Sequence, residues 1–246
     1  MKNMKKKNKK VIVALLTGKG INSLKDKNTL PVLGKPLMAY PATVAKKSKL
    51  VTHYYVSSDS DRILNIGEKL GYKKIKEPKI KAQSNHRHID SLLFALGKMK
   101  EDEVIPDILV VLLANSVSIK KFWLEDCIRQ IIKDDSISAV VPVVLQLDKH
   151  PYRAKKIGRD GFLEPFFDFG GKNISTNRQD LEPSYFLCHN FWALNMKNSI
   201  YSTNGHAPWK FMGSKAKPYI IKKSIDVHER DDLNDSIRWL KNYGDR

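Results

Sequence analysis

Two short, unbroken apolar runs, Val11–Thr17 and Ile108–Leu113, constrain the fold of this chain more than any other feature. A strand with water on one face alternates polar and apolar residues, whereas a strand covered on both faces need not. Runs of this length, the first closing in the turn Thr17-Gly18-Lys19-Gly20, therefore predict buried strands of a parallel sheet. Elsewhere the period changes. Helical spacing is read over Leu37–Lys47, from a Ser58 or Asp59 cap through Leu70, and over His88–Lys98. It returns from Lys120 to Lys133, with Phe122, Cys127 and Ile131 toward the buried face, and over Asp232–Asn242. Further strands are predicted at Val51–Ser57, Lys73–Ile75, Ser138–Leu145, Tyr185–Asn195 and Pro218–Ile221. Such alternation is that of a doubly wound α/β domain, a mostly parallel sheet with helices on both faces. The rhythm breaks near 150–180, where Gly158, Gly161, Pro165, Gly170 and Gly171 mark a small projecting antiparallel subregion. Residues 11–246 are read as one domain behind a disordered basic tail at 1–10.

Composition narrows the function classes. The formal net charge of the 246 residues is +18, and six lysines fall within the first ten positions. The remaining excess is scattered, Lys greatly outnumbers Arg, and no stretch interleaves basic residues with stacking aromatics, so nucleic acid is not the expected partner. Solvated surface lysine is the plainer reading. The apolar run at Val11–Leu16 is far below the roughly 20 residues that span a bilayer, and it lacks the small-residue cleavage pattern of a signal peptide. Two cysteines, Cys127 and Cys188, make neither a disulfide framework nor a zinc site. The chain is read as cytoplasmic, with no membrane association.

Open α/β sheets bind ligands at the carboxyl ends of their strands. The first such end carries Gly18 and Gly20, which permit close backbone approach, together with Lys19, Lys25 and Lys27. The loop matches neither the Walker A pattern nor GxGxxG, so phosphate binding is inferred from its position and charge. Further on, His86-Arg87-His88 with Asp90 opens a helix, where it either meets a phosphate or base or serves as a solvated cap.

From this loop onward the chain resembles the acylneuraminate cytidylyltransferases, the CMP–sialic acid synthetase family. Lys27-Asn28 is similar to the family's Lys-Asn pair, and Gly34-Lys35-Pro36-Leu37 to the turn into its first helix. Val56-Ser57-Ser58-Asp59-Ser60-Asp61 resembles its V-S-T-D-S-D segment, and His150-Pro151-Tyr152 its short H/N-P element. Asn177-Arg178-Gln179 resembles its substrate-contacting segment, and Ile225-Asp226-Val227-His228 its D-x-D metal motif. The matches occur in order over nearly the whole chain. The departures are equally specific. The family's loop arginine falls on Gly18, its loop serine on Ile21 with Ser23 nearby, and its nucleotide-contacting arginine on Glu77. The serine that opens its next helix falls on His88, an asparagine on Cys188, and the second metal-motif aspartate on His228.

The resemblance implies a nucleotidyltransferase in which a hydroxyl of an acidic, nonulosonate-type sugar attacks the α-phosphate of CTP. Lys27, assisted by Lys19, would be catalytic through phosphate charge. Gly18, Gly20, Ser23, Asn28 and His88 would bind the nucleotide, Arg178 and Gln179 the substrate carboxylate, and Asp226 with His228 a Mg²⁺ ion. Imidazole suits Mg²⁺ less well than carboxylate does. A homodimer through the 150–180 region is implied as well. Two other readings stay open: a nucleotidyltransferase for another acid, such as Kdo or a phosphonate, and an inactive nucleotide-binding homologue.

Overall fold

A computed structural model describes residues 9–20, 24–79 and 87–244. The basic tail up to residue 8 lies outside these, as do Ile21, Ser23 and His86. In chain order the strands are β1 (Ile12–Thr17), β2 (Pro31–Val32), β3 (Lys35–Pro36), β4 (His53–Ser58), β5 (Lys73–Lys76) and β6 (Ile108–Leu113). They continue as β7 (Ala139–Leu145), β8 (Lys155–Ile157), β9 (Leu163–Pro165), β10 (Tyr185–Leu187), β11 (Phe191–Asn195) and β12 (Ala216–Ile220). The α-helices are α1 (Ala39–Lys47), α2 (Asp61–Lys69), α3 (His88–Glu101), α4 (Lys121–Lys133) and α5 (Arg230–Tyr243).

The main sheet runs β10-β7-β11-β6-β1-β4-β5, with β12 on the free edge of β7. Strands β6, β1, β4 and β5 are mutually parallel, and β12 is parallel to β7. The side chains of β1 explain its unbroken apolar run. Ile12, Ala14 and Leu16 pack on one face with Met38 and Ala42 of the α1 region, Ile63 of α2 and Leu124 of α4. Val13 and Leu15 pack on the other with Leu92, Leu96 and Met99 of α3. Both faces of the strand are dry, so neither register needs a polar residue.

Three expectations are corrected. First, β11 is antiparallel to both of its neighbours, β6 and β7. Second, the predicted strand Tyr185–Asn195 is two strands on the same edge of β7. Leu187 lies opposite Val143 and Ala193 opposite Val140, so six residues advance the chain by only three and Cys188–Asn190 bulge out of the ladder. Third, Phe122 is half-exposed on α4, and the buried stripe is Leu124, Cys127, Ile128 and Ile131, three and four residues apart. In the 150–180 region the expected turns hold a small hairpin, β8 paired antiparallel with β9.

Candidate active site

The cleft lies along the carboxyl edge of the parallel strands. Thr17, last in β1, is level with Ser57 of β4 and Leu113 of β6, and Glu77 follows directly on β5. Over this row opens a cavity of about 190 Å³, bordered by Gly18, Lys19, Lys27, Asn28, His88, Ser91 and Asn115 as well as Thr17, Glu77 and Leu113.

Its first wall is the loop after β1 and the single 3₁₀ turn that follows, Lys27–Thr29, all three residues of which are buried. Asn28 donates from Nδ2 to the Lys19 carbonyl at 3.0 Å, which ties the turn to the glycine loop. The loop crosses Asn28 so closely that a Cβ at position 18 would stand 3.1 Å from Asn28 Nδ2 and 3.0 Å from Ala114 Cβ. At the position where the resembled family has arginine, a side chain here would press on both neighbours, which would have to give by a few tenths of an ångström. The nearest loop cation on the cleft is Lys19. Gly20 is not among the residues that border the cleft. Its N–H donates to Asp59 Oδ1 at 2.7 Å, so it moors the loop to the end of β4. Asp59 is thus a loop anchor, and the residue before α2 is Ser60, with no side-chain cap of its own.

The second wall is the loop after β6, stitched to the segment ahead of α5. Ser116 Oγ donates to the Ile225 carbonyl at 2.6 Å, the Ile225 N–H donates to Ser118 Oγ at 2.8 Å, and the Val227 N–H donates to the Asn115 carbonyl at 2.9 Å. Ile225 and Val227 bury their side chains with Val32, Leu37, Val117 and Trp239. Side chains alternate in extended chain, so Asp226 faces the other way. Asn115 Nδ2 donates to its Oδ1, while Oδ2 lies 2.9 Å from His228 Nε2 and 3.4 Å from His189 Nδ1. Asn115 borders the cleft and holds Asp226 at once, so that carboxylate sits directly behind a residue of the cleft, within electrostatic reach of Lys27.

The electrostatics agree with this placement. Burial pulls the Lys27 ammonium below the usual lysine range, and the charges of Asp226 and Asp232 oppose the shift without cancelling it. For Asp232, burial works to raise the carboxyl. The backbone N–H groups of Glu229 and His228, with the His228 and Lys27 charges, outweigh burial and hold it below the ordinary carboxylate range. Asp232 also closes the N-terminal turn of α5, accepting from the N–H groups of His228 at 2.7 Å and Glu229 at 2.8 Å.

His88, first in α3, borders the cleft with Nε2 3.4 Å from Thr17 Oγ1 and its ring 5.3 Å from that of Trp192. Its neighbours Arg87 and Asp90 form a helix cap, the Arg87 N–H donating to Asp90 Oδ2 at 2.8 Å. Arg178 and Gln179 lie in a short 3₁₀ turn of the projecting region and do not border the cleft; Arg178 Nη1 pairs with Asp148 Oδ1 at 2.7 Å. Cys188 is buried, and that burial pushes its thiol up to about 11 against an opposing hydrogen bond with Ser224, so it offers no nucleophile near neutrality. Sequence reasoning passed over Asn115 and His189 as site residues. Asn115 could have been found by applying the strand-end rule to β6 as it was to β1. His189 could not, because only the bulge between β10 and β11 turns it toward Asp226.

A parallel sheet with a glycine–lysine loop at the end of its first strand and a polar cleft above the carboxyl ends is an arrangement suited to a phosphorylated nucleotide. The profile of the family described as cytidylyltransferase matches residues 22–108. A Helicobacter pylori protein named pseudaminic acid cytidylyltransferase and UDP-2,4-diacetamido-2,4,6-trideoxy-beta-L-altropyranose hydrolase is 25% identical over 178 residues. That match covers 72% of this chain and 33% of the relative, so the chain spans about a third of the length of the curated protein it matches. The solved CMP:2-keto-3-deoxy-manno-octonic acid synthetase complexed with CTP superposes with a TM-score of 0.66 at 14% identity, over 94% of this chain and 99% of that one. The 4-diphosphocytidyl-2C-methyl-D-erythritol synthase of Anaerococcus prevotii gives 0.63 at 15% identity, over 95% and 100%. The sequence likeness to cytidylyltransferases thus covers part of the chain, and the likeness to the solved synthetases is one of fold. No helix among the described residues is long and apolar enough to cross a membrane.

Proposed function

We propose that this chain transfers the cytidylyl group of CTP to a hydroxyl of an acidic, nonulosonate-type sugar, releasing pyrophosphate in the cytoplasm. The observation that carries the reading is that Lys27 borders the cleft beside the glycine loop and feels the charge of Asp226, which Asn115, also on the cleft, holds. The acceptor oxygen forms a bond to the α-phosphorus, the bond from that phosphorus to the bridging oxygen of the β-phosphate breaks, and the acceptor hydroxyl loses its proton. Negative charge gathers on phosphoryl oxygens throughout, so positioning and electrostatic stabilisation supply most of the acceleration. Lys27 supports that charge from a buried position, where an ammonium acts more strongly than in water. Lys19 adds a second cation, and Gly18 lets the phosphates approach the backbone.

Among the described residues no group of three or more His, Cys, Asp or Glu side chains forms a cage for a cation. One carboxylate is nevertheless the donor set that fits Mg²⁺ arriving on a triphosphate, since this ion keeps its waters and takes only one or two protein carboxylates. Asp226 fits that role. His228, an imidazole already hydrogen-bonded to Asp226, fits better as the group that orients it. When bound, the ion neutralises phosphate charge and polarises the reacting phosphorus.

The sugar carboxylate is assigned to Arg178 with Gln179. The exposed pair of Arg178 with Asp148 is of the kind worth little in water, so the sugar's carboxylate can take the place of Asp148. A homodimer is proposed through the apolar surface of the projecting region, where Ile157, Phe162 and Leu163 are each more than 70% exposed.

The test incubates the full chain with Mg²⁺, CTP and a panel of nonulosonic acids, with Kdo and a phosphonate as further arms, and follows pyrophosphate. Release with a nonulosonic acid is expected, with Lys27→Ala lowering kcat by about 100- to 1,000-fold. Release only with Kdo or the phosphonate would move the acceptor class. Tight CTP binding with no release from any acid would favour the inactive homologue.

A further inference from the structure

We propose that Glu77 reads the nucleobase, its carboxylate accepting a hydrogen bond from the exocyclic amine of cytosine and thereby selecting CTP over UTP. The proposal rests on the reading of the chain as an enzyme that uses CTP. The residues that border the cleft fall into two tied groups. Asn28 bonds the Lys19 carbonyl, and Lys27 feels the charge of Asp226, which Asn115 holds. Glu77 bonds Ser91, which shares the first turn of α3 with His88. A triphosphate is drawn to the lysines of the first group and repelled by the carboxylate of the second, so the base is assigned to the Glu77 group.

Glu77 is an unusual residue to find there. It is 7% exposed, and no cation among the described residues pairs with it. Its backbone N–H donates to the Ser58 carbonyl at 2.9 Å, which extends the β4–β5 pairing and fixes the main chain. Its two oxygens are held apart by two buried hydroxyls: Ser57 Oγ donates to Oε1 at 2.7 Å and Ser91 Oγ donates to Oε2 at 2.9 Å. A carboxylate has about four acceptor positions. Among the described residues the two serines are its side-chain donors, and the carboxylate borders the cleft, so it is a fixed acceptor with positions left for a donor. Cytosine presents an N4–H₂ donor at the edge where uracil presents the O4 acceptor. Against Glu77, cytosine completes a hydrogen bond, while uracil sets two acceptors against each other in a partly dehydrated site. A site built to bond a substrate N–H rejects the analogue that lacks it.

Binding to the full chain with Mg²⁺ is measured by titration calorimetry for CTP, UTP and the triphosphate of the 2-pyrimidinone ribonucleoside, which lacks only the amine. Wild-type protein is expected to bind CTP about tenfold to 100-fold tighter than either of the others. Glu77→Gln, whose amide can donate to O4, is expected to bring the CTP/UTP ratio at least about tenfold closer to unity. A pyrimidinone nucleotide binding as tightly as CTP to wild type would overturn the proposal, and this arm decides the matter even if Glu77→Gln does not fold. So would a folded Glu77→Gln that weakens CTP and UTP equally, the behaviour of a carboxylate that holds the ribose hydroxyls. Wild type that binds CTP while ignoring its amine sinks the role of Glu77 alone. Wild type that binds no CTP sinks the cytidylyltransferase reading with it.

Discussion

The cleft and the projecting 150–180 region are built on opposite terms. Around the cleft, polar groups are buried or partly buried and each of these is answered: Asn28 by the Lys19 carbonyl, Glu77 by two serines, Asp226 by Asn115 and His228. In the projecting region, apolar groups are exposed, with Ile157, Phe162, Leu163, Phe166 and Phe167 all facing solvent. Buried polar groups cost free energy unless they are paired, so a cluster of paired ones marks a place where geometry is held for chemistry. Exposed apolar groups cost little in isolation but gain from being covered, which marks a place for association. The contrast is thus between a cleft of paired polar groups and an apolar surface on which the proposed adhesive role falls.

That contrast can be broken most forcefully at the stitched wall. Asn115→Ala removes the group that fixes Asp226 while leaving the carboxylate in place, and it is expected to lower kcat for pyrophosphate release by about 10- to 100-fold. Unchanged turnover would mean that Asp226 needs no such orientation. In the adhesive region, Phe162→Ser with Leu163→Ser is expected to shift the chain from dimer to monomer in sedimentation, with CTP affinity changed less than about threefold because the cleft draws no residue from that hairpin. A monomeric wild type would remove the association role. The smallest effect is a proton count. Burial holds Lys27 below 10.5 in the empty cleft, and a triphosphate beside it raises the value again. Between the two values, binding must take up protons. Calorimetry in buffers of differing ionisation enthalpy is therefore expected to find net uptake on CTP binding at alkaline pH, lost in Lys27→Met. The same sign governs folding: the buried Lys27 opposes stability where it is charged, and its penalty fades as pH rises through its lowered value toward 10.5.

Much of the fold was legible because its determinants are local. Ile108–Leu113 is a strand in both readings, since six apolar residues in a row between turns leave few alternatives, and β1 differs by one residue. What sequence patterning does not carry is direction and excursion. Nothing in Phe191–Asn195 distinguishes an antiparallel strand from a parallel one when both of its faces are dry, and the bulge at Cys188–Asn190 is set by pairing with β7. The site divides in the same way. Lys27 and Asn28 could be singled out because they follow the first strand end and match a family pair. Asp226 could be found only through its motif, since it arrives at the cleft from over a hundred residues beyond the β6 loop to which Ser116 and Ser118 bind it. The pairing of Arg178 with Asp148 was not legible, because it joins two turns of a region with no periodic pattern.

The proposal that Lys27 and Asp226 act on one triphosphate is tested most directly by a double-mutant cycle on pyrophosphate release, using Lys27→Met, Asp226→Asn and the pair. Groups that act on one triphosphate are not additive, so the double variant is expected to lose far less than the product of the single losses, with a coupling of about 1–3 kcal/mol. Losses that multiply cleanly would show the two side chains acting independently, and would contradict the placement of the nucleotide between them.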